Sequence, residues 1–367
     1  MHPRLPGRAF TAFGAALTLL ATLGITAACG GSGVDRAGEG GLALTAALPK
    51  RVPDNAKLVI GDPKTQRALE LSGLIDDLPF EVEWANISGG PKTSQAFRAG
   101  ALDVGAVADI PPLHARWTGL KVRIVAAAGR EDPVRHPIYE FGVAPGVNIK
   151  QLPDLRGKRI AYSPGQAQGA LVLQALKKAG LRKNDVTLVE MASTDDDYVN
   201  ALAGKQVDAA PLGGVLIKRY LTKFGRDGAT TVPHGLRDDP SHLYVAESSL
   251  SSPAKAAAIR AYVELWARAS RWINEHPREW AKGFFVEHER LSPADAAFLV
   301  RRDGRIAIPA TWNEVIARHQ ETADLLAREQ GHPKVDVRAE LYDLRFESVG
   351  GAAFASGGAA VASGEGS

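Results

Sequence analysis

Stretches rich in Gly, Ser, Thr, Asp and Pro recur along this 367-residue chain at 61–66, 88–93, 109–112, 163–169, 193–196 and 212–215, each where an apolar run gives way to a helical pattern. A helix start leaves its first backbone N–H groups without intrahelical partners, and the aligned peptide dipoles place partial positive charge there. Several such starts facing one spot hold a small anion without a full positive charge. Taken singly, each also serves as an ordinary cap. The most informative is 163–169, inside DLRGKRIAYSPGQAQGALVLQALKKAGL at 154–181. There a strand over 158–162 runs through Ser163, Pro164 and Gly165 into an amphipathic helix ending near Gly180.

Other chemistries lack their residues. The chain has no GxxxxGK followed by Ser or Thr, no HExxH, and no GxGxxG after a strand, so nucleotide and zinc chemistry have no handle. No GxSxG offers a nucleophile elbow. Nine histidines are scattered, and even His234 and His242 are wider apart than the i, i+4 spacing that lets one helix face hold a metal. Asp195, Asp196 and Asp197 read as acids complementing a helix dipole. No cofactor, metal or catalytic residue is expected.

The elements that must position the loops alternate. Strand patterns at 57–60, 80–84, 104–108 and 122–127 are interleaved with helical ones at 65–71, 91–98 and 111–117. Pro91 at a helix start and Gly100 past its end are the usual punctuation. The pattern restarts after 129–138 and a crossover at 139–143, with strands at 158–162, 186–191 and 207–211 and helices at 167–179, 195–203 and 215–224. After 242–245 helices dominate: 253–274, one from Ser292, and one that the Thr311/Glu314 capping-box spacing starts and Gly331 ends. Strand and helix alternating at this spacing predicts mostly parallel sheets flanked by helices. The aromatic residues Trp266, Trp272, Trp280 and Trp312 read as core.

The ends differ from the middle. Residues 1–28 have the parts of a secretory signal: His2, Arg4 and Arg8, an apolar run over 10–25, then Thr26, Ala27 and Ala28. The chain's only cysteine, Cys29, follows at once. ITAAC resembles the lipobox of bacterial lipoproteins, which implies lipidation of Cys29 and a flexible tether over 29–49. A lone cysteine forms no intramolecular disulfide. The Gly- and Ala-rich 349–367 reads as a disordered tail. The formal net charge of +3 falls further when the leader's arginines go, so nothing points to nucleic acid as a partner.

Two longer blocks carry a specific resemblance. VEWANISGGPKTSQAFRAGALDVGAVADIPPLHA resembles the first lobe of the periplasmic binding proteins for aliphatic sulfonates, taurine and nitrate. LPDLRGKRIAYSPGQAQGALVLQALKKAGL resembles the opening of their second lobe, VDAAPLGG stands at their V-D-A-W-x-x-W-D-P position, and KVDVRAELYD is similar to their C-terminal segment. The resemblance runs over 57–343, nearly all the folded chain. It implies a type II periplasmic-binding-protein fold: two α/β lobes, each a mostly parallel sheet flanked by helices, joined by a two-strand hinge. Lobe I would span 50–141 and 246–348, and lobe II 142–245.

Carried over residue by residue, the resemblance implies ligand contacts from Thr65, Gln66, Gly89, Gly90, Asp109, Ile110, Ser163, Gln166, Ala167, Thr194 and Gly213. It also implies a monomer, tethered outside the cell membrane by lipid on Cys29 or free in the periplasm, that delivers a sulfonate-like oxyanion to an ABC permease and its ATPase. Nitrate, a pyrimidine or thiamine precursor, or an aromatic sulfonate is the alternative cargo, and a ligand sensor the alternative role. Enzymes on this fold depend on interior cysteines, which this chain lacks. Gly213 and Gly214 stand where the family often has Trp, which predicts a roomier pocket.

Overall fold

The computed structural model describes residues 41–87, 89–193 and 196–356. The expected signal, Cys29, Thr194 and the end of the tail from 357 lie outside the described residues.

From the N-terminal side the elements are β1 (Lys57–Gly61), α1 (Pro63–Ser72), β2 (Glu81–Trp84), α2 (Gly90–Arg98), β3 (Val104–Val107), α3 (Ile110–Trp117) and β4 (Val122–Arg130). The second half of the alternation is β5 (Tyr139–Val143), β6 (Arg159–Tyr162), α4 (Ala167–Lys178), β7 (Thr187–Glu190), α5 (Asp197–Ala203), β8 (Ala209–Gly213), α6 (Val215–Phe224) and β9 (Thr230–Val232). Then follow β10 (Ser241–Ala246), α7 (Glu247–Ser251), α8 (Pro253–Glu275), α9 (Pro277–Trp280) with a π-helical turn over Ala281–His288, α10 (Pro293–Asp303), β11 (Ile306–Ala307), α11 (Asn313–Gln330), α12 (Val337–Leu341) and α13 (Glu347–Ala355).

The strands form a six-stranded sheet, β11-β4-β10-β3-β1-β2, and a five-stranded sheet, β7-β6-β8-β5-β9. Both are mixed, where alternation alone predicts mostly parallel ones. β1 pairs in parallel with β2 and β3, and β6 with β7 and β8, but β10 runs antiparallel to β3 and β4, and β5 antiparallel to β8 and β9. The reason is topological: β5 and β10 each arrive from the other sheet rather than through a helix crossover, and only helix crossovers impose parallel pairing. β10 therefore belongs to the first sheet and β5, from Tyr139, to the second, which moves the expected lobe boundaries at 141 and 245 to the crossovers 131–138 and 233–240.

Carboxylates lash the crossovers together. Asp238 accepts hydrogen bonds from the backbone N–H of Ile138 (2.9 Å) and Tyr139 (2.7 Å). Asp239 accepts from Arg130 N–H (2.7 Å) and holds the Arg237 guanidinium at 2.8 Å. Leu236 N–H donates to His234 Nδ1 (3.0 Å), so that imidazole carries its proton on Nε2, which faces Tyr139 O (3.1 Å) and Asp238 (3.2 Å).

In the first lobe α8 buries Ile259, Tyr262, Val263 and Trp266, packing on α1, α13 and β1 around Leu58, Ile60 and Ile124. Trp266, Trp280 and Trp312 are buried, and Trp272 is half-buried, stacked on His276. Three expectations are corrected here. The helix of 313–330 is not started by a Thr311 cap: its first residue follows Trp312, which makes no side-chain cap bond. Part of the expected tether lies on the fold, with Leu42 N–H donating to Ser251 O (2.7 Å) and Arg345 donating to Ala43 O and Ala46 O. The expected disordered tail begins with α13, whose buried Gly350 and Gly351 let it approach α8 and the chain at Pro309 and Ala310 closely. Composition alone hides that role of small residues.

Candidate functional site

Ser163, Pro164, Gly165 and Gln166 form a tight turn between β6 and α4. Gln166 N–H donates to Ser163 O (3.3 Å) and Gly165 has φ +78, the arrangement of a type II turn with Pro at its second position and Gly at its third. Gly165 also meets the first lobe: a Cβ there would stand 2.9 Å from the His114 ring of α3. The first turn of α4 folds back so closely that a Cβ on Gly169 would lie 2.2 Å from Ser163 O. No side chain caps α4, because the Gln166 amide oxygen accepts instead from the Ser193 hydroxyl. Ser163 Oγ and the Tyr198 hydroxyl are both buried beside each other, with Ser193 next to Tyr198, and among the described residues neither has a partner at full hydrogen-bond geometry. Burial pushes the Tyr198 phenol up to about 12, so it stays a neutral donor. Buried hydroxyls with open valence beside an uncapped helix start form a donor set for an oxyanion.

Two helix starts of the first lobe are built differently. At α1 the Asp62 carboxylate caps the helix, accepting from Thr65 N–H (3.1 Å), while its second oxygen accepts from the Tyr262 hydroxyl (3.0 Å). Burial raises the Asp62 carboxyl above the usual range. At α3 the Asp109 carboxyl lies beside its own N–H and that of Ile110. Burial raises it to about 6, Arg318 and the N–H groups oppose the shift, and Asp239 adds to it. Tyr139 sits between the lobes. It packs on Gly213, where a Cβ would stand 2.9 Å from its ring, and burial, then Asp238, Asp109 and Tyr198, raise its phenol above the ordinary value.

These groups border two cavities that share Pro240 of the second crossover. A smaller one of about 420 Å³ is lined by Asp109, Tyr139, Ala167, His242, Arg318 and His319 among others. A larger one of about 730 Å³ includes Asp62, Thr65 and the ends of β3 and β4. Behind the smaller cavity the Tyr342 hydroxyl lies 3.0 Å from His242 Nε2 and 3.2 Å from His319 Nδ1. Burial holds both imidazoles neutral, His319 being lowered to about 4.

The expected site residues thus divide. Asp109 and Ala167 share the smaller cavity, Gly213 backs it through Tyr139, and Ser163 and Gln166 form the adjoining turn. Thr65 lines the larger cavity, with its N–H already taken by Asp62. Gln66 turns along α1 to Glu70 (3.0 Å), Ile110 is core, and a Cβ on Gly90 would meet Pro111 at 2.5 Å, so α2 and α3 start in contact. Gly89, at φ +82, precedes α2 without a side-chain cap. Sequence reasoning missed Tyr139, Tyr198, Ser193 and Arg318. Only Ser193 had a local signal, its place in a flagged loop. Among the described residues no group of three or more His, Cys, Asp or Glu is placed to hold a metal, and no helix is long and apolar enough to cross a membrane.

Two mixed α/β lobes, crossed twice by the chain and bordered by cavities at the crossings, define the two-lobed fold of periplasmic binding proteins. The NMT1/THI5-like family model matches residues 80–280, and the chain belongs to that family. A protein of Escherichia coli (strain K12) named for aliphatic sulfonates binding is 24% identical over 264 residues, covering 71% of this chain and 79% of that one. The alkanesulfonate-binding protein of Xanthomonas axonopodis pv. citri bound to MOPS superposes with a TM-score of 0.63 at 20% identity, over 79% of this chain and 99% of that one. The periplasmic aliphatic sulphonate binding protein of Escherichia coli gives 0.63 at 21%, over 79% and 92%. The desulfurization enzyme DSZB shares the fold at 0.55 and 16%, over 83% of this chain and all of that one.

Proposed function

We propose that this chain is the extracytoplasmic solute-binding component of an ABC import system. It takes a small organosulfur oxyanion, an aliphatic sulfonate or a taurine-like compound, between its lobes and delivers it to the permease. Lipid on Cys29 holds it at the outer face of the membrane. The observation that carries the ligand class is the group of buried hydroxyls, Ser163 and Tyr198 side by side with no firm hydrogen bond among the described residues, at the start of α4, which no side chain caps. A helix start contributes about 0.3 to 1 kcal/mol when exposed and up to about 2 when partly buried. Hydrogen bonds to a charged group add about 1.5 to 3 kcal/mol each. Together these supply a large part of the roughly 8 kcal/mol of micromolar binding. The chain binds rather than transforms its ligand: the curated relatives of like sequence are named as binding proteins, and no cysteine lies beyond Cys29.

Isothermal titration against sulfonates, sulfate esters, nitrate and pyrimidines tests this reading. Micromolar binding of a sulfonate is expected, and silence across the sulfonates with binding of a pyrimidine would overturn it. Labelling with a radioactive fatty acid, lost on Cys29→Ser, tests the anchor.

A further inference from the structure

The larger cavity, about 730 Å³, does not include the Ser163 turn and has a different construction. Trp266 and Ile273 of α8, Trp280 of α9, Phe285, Val300 of α10 and Val107 of β3 contribute apolar wall. Several of its polar groups are already engaged within the protein. Asp62 holds Thr65 N–H and the Tyr262 hydroxyl, and Asp239 holds Arg130 N–H and Arg237. Asn274 exchanges both of its amide hydrogen bonds with the backbone of Ile306, each 2.8 Å. A polar solute entering here finds few partners and loses its water, whereas an apolar group loses nothing and buries area.

The volume also exceeds what a taurine-sized solute fills and lies in the range of pockets that enclose drug-sized ligands. The chamber adjoins the smaller cavity: Ala108 lines one and Asp109 the other, and Pro240 lines both. Exposed Lys64 and Arg301 stand among its lining residues, cations suited to keep an anionic end out of the apolar interior.

We infer that this chamber receives a bulky apolar body, aryl or branched alkyl, of the bound solute, so that the preferred ligand is a sulfonate with a large hydrocarbon group rather than a short one. This rests on the sulfonate reading above and narrows it. The smaller cavity and the Ser163 turn discriminate the anion, and the chamber discriminates what the anion is attached to.

The test is titration calorimetry with ethanesulfonate, 2-naphthalenesulfonate and the uncharged 2-naphthalenemethanol, on the wild type, Ile273→Trp and Val300→Phe. Circular dichroism melts identify any variant that fails to fold. Naphthalenesulfonate is expected to bind at least about ten-fold more tightly than ethanesulfonate, a difference of about 1.4 kcal/mol. Either folded variant, by filling the chamber, removes that preference while ethanesulfonate affinity stays within about three-fold. Equal affinities for the two sulfonates, or a preference that survives both substitutions, overturns the chamber and leaves the sulfonate reading standing. Binding of the alcohol without either sulfonate, lost in the variants, supports the chamber and overturns the sulfonate reading. No binding of any probe overturns both.

Discussion

The start of α1 in the first lobe and the start of α4 in the second are finished in opposite ways. In the first lobe α1 is closed by its own carboxylate, Asp62, and Asp109 lies at the start of α3. In the second lobe α4 begins without a side-chain cap, beside the buried hydroxyls of Ser163 and Tyr198, which have no firm hydrogen bond among the described residues. A carboxylate at a helix start satisfies the N–H groups and the dipole that an incoming anion would use. The start of α1 is therefore electrostatically complete, whereas those of α2, α3 and α4 have no side-chain cap. An anion-ready loop in the sequence is not an anion site until the residue just before the helix is known to leave it open.

Substitutions that reverse the finish of one lobe at a time separate these roles. Asp62→Ala uncaps α1 and leaves the Tyr262 hydroxyl without its acceptor, so unfolding free energy should fall by about 2 to 4 kcal/mol. Sulfonate affinity, measured where the variant is folded, should stay within about three-fold, and a large loss would place the anion at α1. Gly169→Ala forces its methyl group against Ser163 O, so the turn must move. A destabilisation of about 1 to 3 kcal/mol with a clear loss of sulfonate binding is expected by urea denaturation and calorimetry.

Ser163→Ala removes a buried hydroxyl that lies beside the Tyr198 hydroxyl and has no firm hydrogen bond among the described residues. Stability should hold or rise by up to about 1 kcal/mol while sulfonate affinity falls roughly ten-fold. Tyr198→Phe should behave alike, and a stability loss in both would assign these hydroxyls a structural role instead.

The smallest effect is on pH dependence. His319 is lowered to about 4 and His242 lies well below 6.5, so between about 4 and 6.5 the unfolded chain binds more protons and stability falls as pH falls. Asp109, raised to about 6 from 3.8, acts in the opposite sense: between those values the folded state binds more protons, and stability rises as pH falls. Asp109→Asn removes that offset, so its urea midpoint should drop more steeply than the wild type's between pH 6 and 4.5. Parallel profiles would show that Asp109 is not shifted by its enclosure.

Much of the fold is legible in the residue pattern. The βα alternation, its restart and the helical C-terminal third follow from periodicity and from Pro and Gly punctuation. What escapes is small or non-local. β9 and β11 span only three and two residues and owe their pairing to β5 and β4. α13 owes its place to glycines that compositional reasoning assigns to disorder. In the candidate site the Ser163 turn is legible because Pro164 and Gly165 specify its geometry locally. Tyr139, Tyr198 and Arg318 carry no such mark, since each arrives from a separate element and matters only through what the crossovers bring beside it. The carboxylate finish of α1 was visible as Asp62, but a cap and an anion site draw on the same residue types, so the letters alone do not separate them.

The most direct measurement is a crystal structure with bound ethanesulfonate. The account predicts sulfonate oxygens about 2.7 to 3.1 Å from Ser163 Oγ and the Tyr198 hydroxyl, against the first N–H groups of α4, with Asp62 still capping α1. A sulfonate seated on the start of α1, with Asp62 turned away, would contradict it.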